Sequence, residues 1–149
     1  MSTVYLAAPL FSLAEQEFNQ TLAYRLVEAC PGLEVVLPQA RAKELISQKG
    51  GLALVFRDCL DSLAKSNVVV AILDGPDVDS GTCVEIGFAF AKGKPIIGIR
   101  TDSRTSEDRG LNLMVSHACT MLILGSQRDT QTLAEKTVQA IRELTPAQS

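Results

Sequence analysis

Short apolar runs alternate with longer amphipathic segments along the whole chain. Apolar runs rich in β-branched residues predict five strands, over residues 3–7, 33–37, 67–73, 96–99 and 119–124. Apolar positions at helical spacing predict helices over residues 12–30, 52–66 and 126–144, one that starts near Asp79 or Ser80, a short helix with a mobile loop over residues 39–51, and a turn or short helix over residues 111–117. This alternation predicts one α/β domain over residues 1–149, with a single doubly wound five-stranded parallel sheet of flavodoxin-like order 2-1-3-4-5.

The most informative stretch joins the third strand to the helix after it. A turn over residues 74–80 ends the strand, Asp79 or Ser80 can cap the helix, and Glu85 falls about two turns further on. Ligands of open α/β sheets bind beyond the carboxyl ends of the strands. Backbone or ligand can approach Glu85 closely because its neighbours in sequence are small, namely Gly81, Cys83, Gly87 and Ala89. Either Glu85 works in a site there, or Asp79 is only an N-cap and Glu85 a solvated helix residue.

The helix predicted over residues 52–66 carries two acids beside its apolar stripe. The stripe should pack on the sheet and consists of Leu52, Val55, Phe56, Cys59, Leu60 and Leu63. Asp58 and Asp61 are three positions apart and therefore share a side next to this stripe. Acids so close to a core face are candidates for chemistry, although we expect Asp61 simply to face solvent.

Composition narrows the classes of function. The chain has 149 residues, of which 46% are hydrophobic and 21% charged, and no apolar run approaches the roughly 18 residues that span a bilayer. The N-terminus lacks the basic and apolar segments of a signal peptide, so we expect a cytoplasmic protein without a membrane partner. The formal charge of -3 and the lack of clustered Lys and Arg argue against a nucleic acid polymer. Small ligands remain open.

No metal ion or organic cofactor is predicted. His117 is the single histidine, so no Cys/His metal site can be assembled, and we interpret it as a structural residue at a strand entry. Neither a G-x-G-x-x-G after the first strand nor a P-loop motif occurs, which disfavours a dinucleotide or P-loop site. The cysteines are widely spaced, without a C-x-x-C pair, and are interpreted as reduced core residues: Cys30, Cys59, Cys83 and Cys119.

Four groups of residues, taken in order over about residues 3–124, resemble the nucleoside 2-deoxyribosyltransferase family. They are Tyr5-Leu-Ala-Ala8, Asp58 in the helix before the third strand, Asp79 followed by Glu85-x-Gly87, and Asn112-x-Met114. The resemblance implies that Glu85 is the nucleophile and that Tyr5 orients it. It implies that Asp58 and Asp79 contact the leaving base and help to protonate it. It also implies an obligate homo-oligomer, built from dimers and extending to a hexamer, in which Asn112 and Met114 bind the sugar in a neighbouring subunit's site, without metal or organic cofactor.

Breaking an N-glycosidic bond calls for carboxyl groups of this kind. One group must take the anomeric carbon and another must neutralise the departing base, as in retaining glycosidases. We expect Glu85 to attack C1′ of a 2′-deoxynucleoside and form a covalent deoxyribosyl ester. Asp79 or Asp58 would give a proton to the base and later take one from the incoming purine or pyrimidine. Exclusion of water would favour transfer over hydrolysis, with retained configuration, in nucleoside salvage.

Three further positions are expected to affect substrate binding. Gly81 leaves room for a sugar near Glu85. Phe11, just after the first strand, is either a platform for the base or a residue that staples the first helix. Base choice is expected to depend on the loop near Gln39 and on the charged loop over residues 100–110, which leaves purine-only and dual specificity open.

Two alternative functions remain. Hydrolases of 2′-deoxynucleoside 5′-monophosphates resemble this chain in fold, but they carry Ser and Arg after the first strand to hold the phosphate and lack an asparagine at the position of Asn112. This chain has Ala8-Pro-Leu-Phe11 after that strand. The other alternative is a non-catalytic nucleotide-sensing or receiver-like module, in which Asp58 and Asp61 would bind Mg²⁺. A receiver requires acids at the end of strand one, where this chain has alanine and proline.

Overall fold

The computed structural model describes residues 2–104, 111–125 and 129–145, and these form five strands and six helices. The strands are β1 (Thr3–Ala7), β2 (Glu34–Val36), β3 (Val68–Ile72), β4 (Ile96–Arg100) and β5 (Met121–Leu124). The helices are α1 (Leu13–Ala29), α2 (Pro38–Ile46), α3 (Gly51–Lys65), α4 (Ser80–Ala91), α5 (Leu113–Ala118) and α6 (Thr130–Leu144). The element order is the predicted one. Two predicted segments lie outside the described residues. One is residues 105–110 of the 100–110 loop that was expected to influence base choice, and the other is residues 126–128, where the last helix was predicted to start.

All five strands are parallel and lie in the order β2-β1-β3-β4-β5, so the predicted flavodoxin-like sheet is confirmed. The chain builds outward from β1 to β2 in one direction and from β3 to β5 in the other. The switch of direction therefore falls between β1 and β3, where Tyr5 pairs with Val69. Ligands of open α/β sheets bind at this switch, beyond the carboxyl ends of the strands.

Alternate side chains of the central strands divide the core into two layers. Val4 and Leu6 of β1 belong to the layer formed with α1 and α6. Tyr5 and Ala7 belong to the layer formed with α3, α4 and α5. Because side chains along a strand alternate between the two faces, the register that buries Leu6 toward α1 also turns Tyr5 toward α3 and α4.

Helix α1 begins with a capping box formed by Ser12 and Glu15. The hydroxyl of Ser12 accepts a hydrogen bond from the Glu15 backbone N–H at 3.2 Å, and the Glu15 carboxylate accepts from the Ser12 N–H at 2.7 Å. The same carboxylate accepts from the Phe11 N–H at 3.0 Å. These bonds satisfy donors that the first helical turn leaves free, and they fix the path of the chain just beyond β1.

The segment after β2 differs from the prediction. The short helix with a mobile loop predicted over residues 39–51 is instead a helix that begins at Pro38, because proline has no N–H to lose and its fixed φ suits a first helical turn. The loop expected near Gln39 is therefore a helical turn. The buried Gln39 amide accepts from Asn19 at 3.0 Å and donates to the Gln16 carbonyl at 2.9 Å, which ties α2 to α1.

The prediction that the whole apolar stripe of α3 packs on the sheet is only half right. Leu63 is buried, whereas Leu52 and Phe56 are 76% and 59% exposed. The first turns of α3 pack beside α2 instead of beneath a strand, with Gly51 against the backbone of Ile46. The apolar pattern thus extends beyond the surface that this chain covers, and an exposed apolar face remains at the start of α3.

Two expectations about composition can be compared with the structure. The four cysteines are free, as expected, but each is only partly buried, because they lie where helices border the core: Cys30, Cys59, Cys83 and Cys119. Within the described parts of the chain, none of the helices is both long enough and apolar enough to cross a bilayer.

Gly98 of β4 provides a test of how tightly the α4 side of the sheet is packed. A Cβ at this position would lie 2.7 Å from Cδ1 of Leu73 and 2.8 Å from both Sγ of Cys119 and Cδ2 of Leu122. We predict that Gly98→Ala lowers the free energy of unfolding by about 1–3 kcal/mol through overpacking. Gly87→Ala is the matched control, because its Cβ would meet nothing within 4 Å and alanine favours a helix. Urea denaturation should give the two changes opposite signs, and equal effects would contradict this packing.

Candidate active site

A hydrogen bond between Tyr5 and Glu85 forms the centre of the site. The Tyr5 hydroxyl donates to Oε1 of Glu85 at 2.5 Å, across 80 positions of sequence. Tyr5 is wholly buried in β1, and Glu85 is half-buried in the second turn of α4. The fold brings them together because β1 and β3 are neighbours and α4 returns over the face of the sheet to which Tyr5 points.

Burial changes the acid–base behaviour of Glu85. Removal from water disfavours the charged form and raises the pKa of Glu85 to about 7, against an ordinary value of 4.5. The hydrogen bond from Tyr5 lowers this pKa, and the nearby charge of Asp79 raises it further. The carboxyl therefore ionises near neutral pH, and its charged form has one strong donor to hold it in place.

Tyr5 remains a proton donor throughout the useful pH range. Burial, followed by the negative charge of Glu85, raises the pKa of the Tyr5 phenol far above its ordinary value. The Cys59 thiol of α3 is a second neighbour of this hydroxyl, and burial raises the pKa of Cys59 as well. A phenol that keeps its proton can orient one oxygen of Glu85 while the other stays available.

Asp79 caps α4 and also lies near Glu85. Its Oδ2 accepts from the Thr82 N–H at 2.8 Å and from the Thr82 hydroxyl at 3.1 Å, so the simple N-cap interpretation of Asp79 is correct as far as it goes. A Cβ on Gly81 would come within 3.1 Å of the same oxygen. The absence of a side chain at Gly81 therefore leaves space directly over the Asp79 carboxylate. The cap fixes the direction in which Oδ1 points.

Asp58 forms an ion pair that the sequence analysis missed. Oδ1 of Asp58 lies 2.6 Å from Nη2 of Arg41, which reaches across from α2. Asp58 directly precedes Cys59 on α3, and the Cys59 thiol is a neighbour of the Tyr5 hydroxyl. Arg41 stands in a polar segment with no distinctive motif. Its contact with Asp58 depends on the hairpin of α2 and α3, which the sequence did not specify.

Phe11 and Gln39, both predicted to contact the substrate, differ in exposure and in partners. Phe11 is 77% exposed, so it does not staple the first helix, and its ring is free to contact a ligand. Gln39 is buried, and its amide is engaged by Asn19 and by the Gln16 carbonyl. Asn19 also donates to the Pro9 carbonyl at 2.9 Å, so Gln39 supports the loop that carries Phe11 rather than pointing a free amide into the site.

Asn112 and Met114 lie elsewhere in the same chain. Asn112 caps the short helix α5 by accepting from the N–H groups of Met114 and Val115, and Met114 is 76% exposed. Both line a cavity of about 560 Å³ between α4 and α5, and the residues lining this cavity do not include Tyr5 or Glu85. His117, at the end of α5, lies at the same cavity with its Nδ1 against the Leu113 carbonyl, a structural position of the kind expected.

The site holds carboxyl groups but offers no evident metal cage. Among the described residues, no cluster of three or more His, Cys, Asp or Glu could hold a metal ion. Asp61 is exposed and Asp58 is paired with Arg41, which makes these two acids a poor Mg²⁺ site. The arrangement instead combines an activated carboxyl, a tyrosine donor and two further acids. Such groups suit attack on an electron-poor carbon and proton transfer to a leaving group.

Comparisons with known proteins give a family match and structures of similar fold. The model of the family described as nucleoside 2-deoxyribosyltransferase matches residues 4–114. A conserved protein from Enterococcus faecalis V583 has a TM-score of 0.74 at 27% identity, over 96% of this chain and 98% of that one. A 2-deoxyribosyltransferase from Bacillus psychrosaccharolyticus has a TM-score of 0.70 at 19% identity, over 89% and 90% of the two chains. A CMP N-glycosidase from Clostridium botulinum has a TM-score of 0.61 at 22% identity, over 91% and 98%.

The likenesses to the Bacillus psychrosaccharolyticus and Clostridium botulinum proteins show a shared fold. Among curated proteins, an uncharacterized protein of Schizosaccharomyces pombe is 34% identical over 79 residues, which is 52% of this chain and 31% of that protein. The match therefore spans less than a third of the relative's length.

The raised pKa of Glu85 predicts a pH-dependent cost to stability. In the folded state the Glu85 carboxyl keeps its proton up to a pKa of about 7, whereas in the unfolded chain it releases the proton near 4.5. The stability that the protonated carboxyl gives to the folded state is therefore lost as the pH rises through 7. We predict that Glu85→Gln is more stable than the wild type at pH 8, by on the order of 3 kcal/mol, and that the gain shrinks toward pH 4.5. Urea denaturation across this range measures it. Glu17→Gln, on an exposed face of α1, controls for loss of a solvated carboxylate, and a gain independent of pH would contradict the burial effect.

Proposed function

The chain belongs to the nucleoside 2-deoxyribosyltransferase family, and from this we propose that it transfers the 2-deoxyribosyl group of a 2′-deoxynucleoside to a free nucleobase. The observation that carries the proposal is the hydrogen bond from the Tyr5 hydroxyl to Glu85. It leaves the second carboxylate oxygen of Glu85 free to attack. The reaction needs no metal or organic cofactor and would serve nucleoside salvage.

In the first half of the reaction, Glu85 attacks C1′ and forms a deoxyribosyl ester as the bond to the base breaks. The attacking species is the carboxylate, which a pKa of about 7 makes available near neutral pH. Poor solvation of that carboxylate raises its reactivity, and positive charge developing on the sugar stabilises it in turn. In the second half, an incoming base attacks C1′ from the side opposite the ester and displaces the Glu85 carboxylate, so two inversions give retention.

The departing base carries away an electron pair and needs a proton. The Asp79 carboxyl, at the start of α4, acts on the pKa of Glu85, and Asp58 lies on α3 beside Arg41. Either carboxyl would serve as the acid and then as the base for the incoming nucleobase. Phe11 provides an exposed ring at the end of β1 on which the base would stack. Gly81 leaves the space in which the sugar would sit.

The sugar contacts are proposed to come from a second copy of the chain. Asn112 and the exposed Met114 line a different cavity from Glu85 in their own chain, so they are available to a neighbour. The uncovered apolar start of α3, with Leu52 and Phe56, supplies a surface that a homo-oligomer would bury.

A 2′-deoxynucleoside 5′-monophosphate N-glycosidase is the second candidate, because a nucleophilic glutamate with a tyrosine partner serves hydrolysis as well as transfer. The fold shared with the Clostridium botulinum CMP N-glycosidase favours it. Residues 8–12, which follow β1, contain no Lys or Arg to neutralise a phosphate. A dianion placed there would lose its hydration without gaining a cation, which favours a nucleoside substrate.

The reaction is tested by base exchange. Incubation of deoxyinosine with adenine should yield β-deoxyadenosine and hypoxanthine, separable by chromatography. Glu85→Ala should lower kcat by several powers of ten, because the covalent route is lost, while circular dichroism shows an unchanged fold. Glu17→Ala, remote on the exposed face of α1, is the matched control and should keep the wild-type rate.

Inosine and deoxyinosine 5′-monophosphate should react much more slowly than deoxyinosine. Free deoxyribose as the main product with excess adenine, or a preference for the monophosphate, would favour the glycosidase instead. An active Glu85→Ala variant would remove Glu85 from the mechanism.

Subunit sharing predicts complementation between inactive variants. Glu85→Ala and Asn112→Ala should each be inactive alone, because each lacks one half of every site. Mixed and allowed to exchange subunits, they should recover part of the activity, since some sites then contain both intact halves. The measurement is the base-exchange rate against the mixing ratio. A fully active monomer in sedimentation, or no recovery despite proven subunit exchange, would contradict shared sites.

A further inference from the structure

The ion pair that Arg41 forms beside the site is not needed to hold α2 in place. It lies on α2, whose first turn follows β2 at the carboxyl edge of the sheet, and its side chain is 56% exposed while that of Asp58 is 20% exposed. Helix α2 is already held by the buried Gln39 amide and by the close packing of Gly51 on Ile46. An ion pair with one exposed partner adds little to stability.

The pair between Arg41 and Asp58 leaves hydrogen-bonding groups unused. Nη2 of the guanidinium lies 2.6 Å from Oδ1 of the carboxylate. Within the described residues, the other guanidinium nitrogens and Oδ2 of Asp58 have no protein partner. The pair thus presents N–H donors and a carboxylate acceptor side by side, on the flank of the site where the proposed function places the base.

We infer that Arg41 and Asp58 together read the edge of a purine base and select 6-oxopurines, such as hypoxanthine and guanine, over 6-aminopurines. The inference rests on the proposed function. A purine leaving from N9 takes at N7 the proton that the Asp58 carboxyl gives up, and the N7–H then donates to Oδ2 of the carboxylate that remains. Next to N7, a 6-oxo group accepts from the Arg41 guanidinium, whereas the amino group of adenine would set donor against donor.

The chemistry of the guanidinium explains why an arginine suits this position. Its fork of N–H groups contacts Asp58 with one nitrogen and the O6 atom of the base with another, at fixed spacing. Lysine offers one nitrogen for both tasks. Contacts of this kind discriminate between bases by about ten- to one-hundred-fold, and the unpaired donors left by adenine account for much of that ratio.

The experiment compares kcat/KM for deoxyinosine, deoxyadenosine and purine 2′-deoxyriboside. In a two-step transfer this quantity does not depend on the acceptor, so one acceptor base serves for all three. The wild type should prefer deoxyinosine to deoxyadenosine by about ten- to one-hundred-fold. Arg41→Met should bring that ratio close to one while changing the rate with purine 2′-deoxyriboside, which has no 6-substituent, only a few-fold. Arg41→Lys should keep part of the preference.

Arg57→Met is the matched control, because Arg57 is an exposed arginine of α3 directly before Asp58. It should leave the ratio unchanged. If Arg41→Met loses turnover with all donors, calorimetry decides instead: hypoxanthine should bind Glu85→Ala more tightly than adenine, and Arg41→Met in that background should remove the difference.

Equal use of deoxyinosine and deoxyadenosine by the wild type, or an Arg41→Met variant that keeps the preference, would overturn the inference and leave the transfer reaction intact. Failure of the wild type to use any of the three donors would overturn the proposed function, and the inference with it.

Discussion

The active site is organised around the burial of the Glu85 carboxyl group against the Tyr5 phenol. Glu85 is placed where water cannot solvate its charge fully, and among the described residues the Tyr5 hydroxyl, at 2.5 Å, is its hydrogen-bond donor. This arrangement opposes stability at neutral pH, because the unfolded chain would ionise the group freely. Proteins retain such costly groups where activity needs them, so the strain on the charged form of Glu85 is an argument for chemistry at this place.

The sheet topology makes that contact possible. Tyr5 sits inside β1, with β2 and β3 on either side, so its ring is locked by packing and only the hydroxyl emerges toward α4. Asp79 caps the helix that carries Glu85, and Gly81 keeps the space over that cap open. A rigid strand, a capped helix and an absent side chain together preorganise the carboxyl groups, which is how a site gains reactivity without reorganising during the reaction.

Much of the fold could be predicted from periodicity, because strands covered on both faces are continuous apolar runs. The start of α1 is marked by Ser12 and Glu15. The pairing of Tyr5 with Glu85 followed only from resemblance, since no local pattern joins residues so far apart. Arg41 was not predicted as a site residue, because its contact with Asp58 depends on a hairpin of two helices that helix propensity does not specify. The exposed Phe56 was misjudged since an apolar stripe looks the same whether this chain or a partner covers it.

In the proposed mechanism, Glu85 bonds covalently to the sugar. This bond can be detected by treating the protein with a 2′-fluoro-substituted deoxynucleoside, whose fluorine slows breakdown of the ester, and by sequencing the labelled peptide by mass spectrometry. The account predicts one added fluorodeoxyribosyl group on Glu85, lost again when a free base is supplied. A label on another residue, or steady release of base with an unlabelled Glu85, would contradict it.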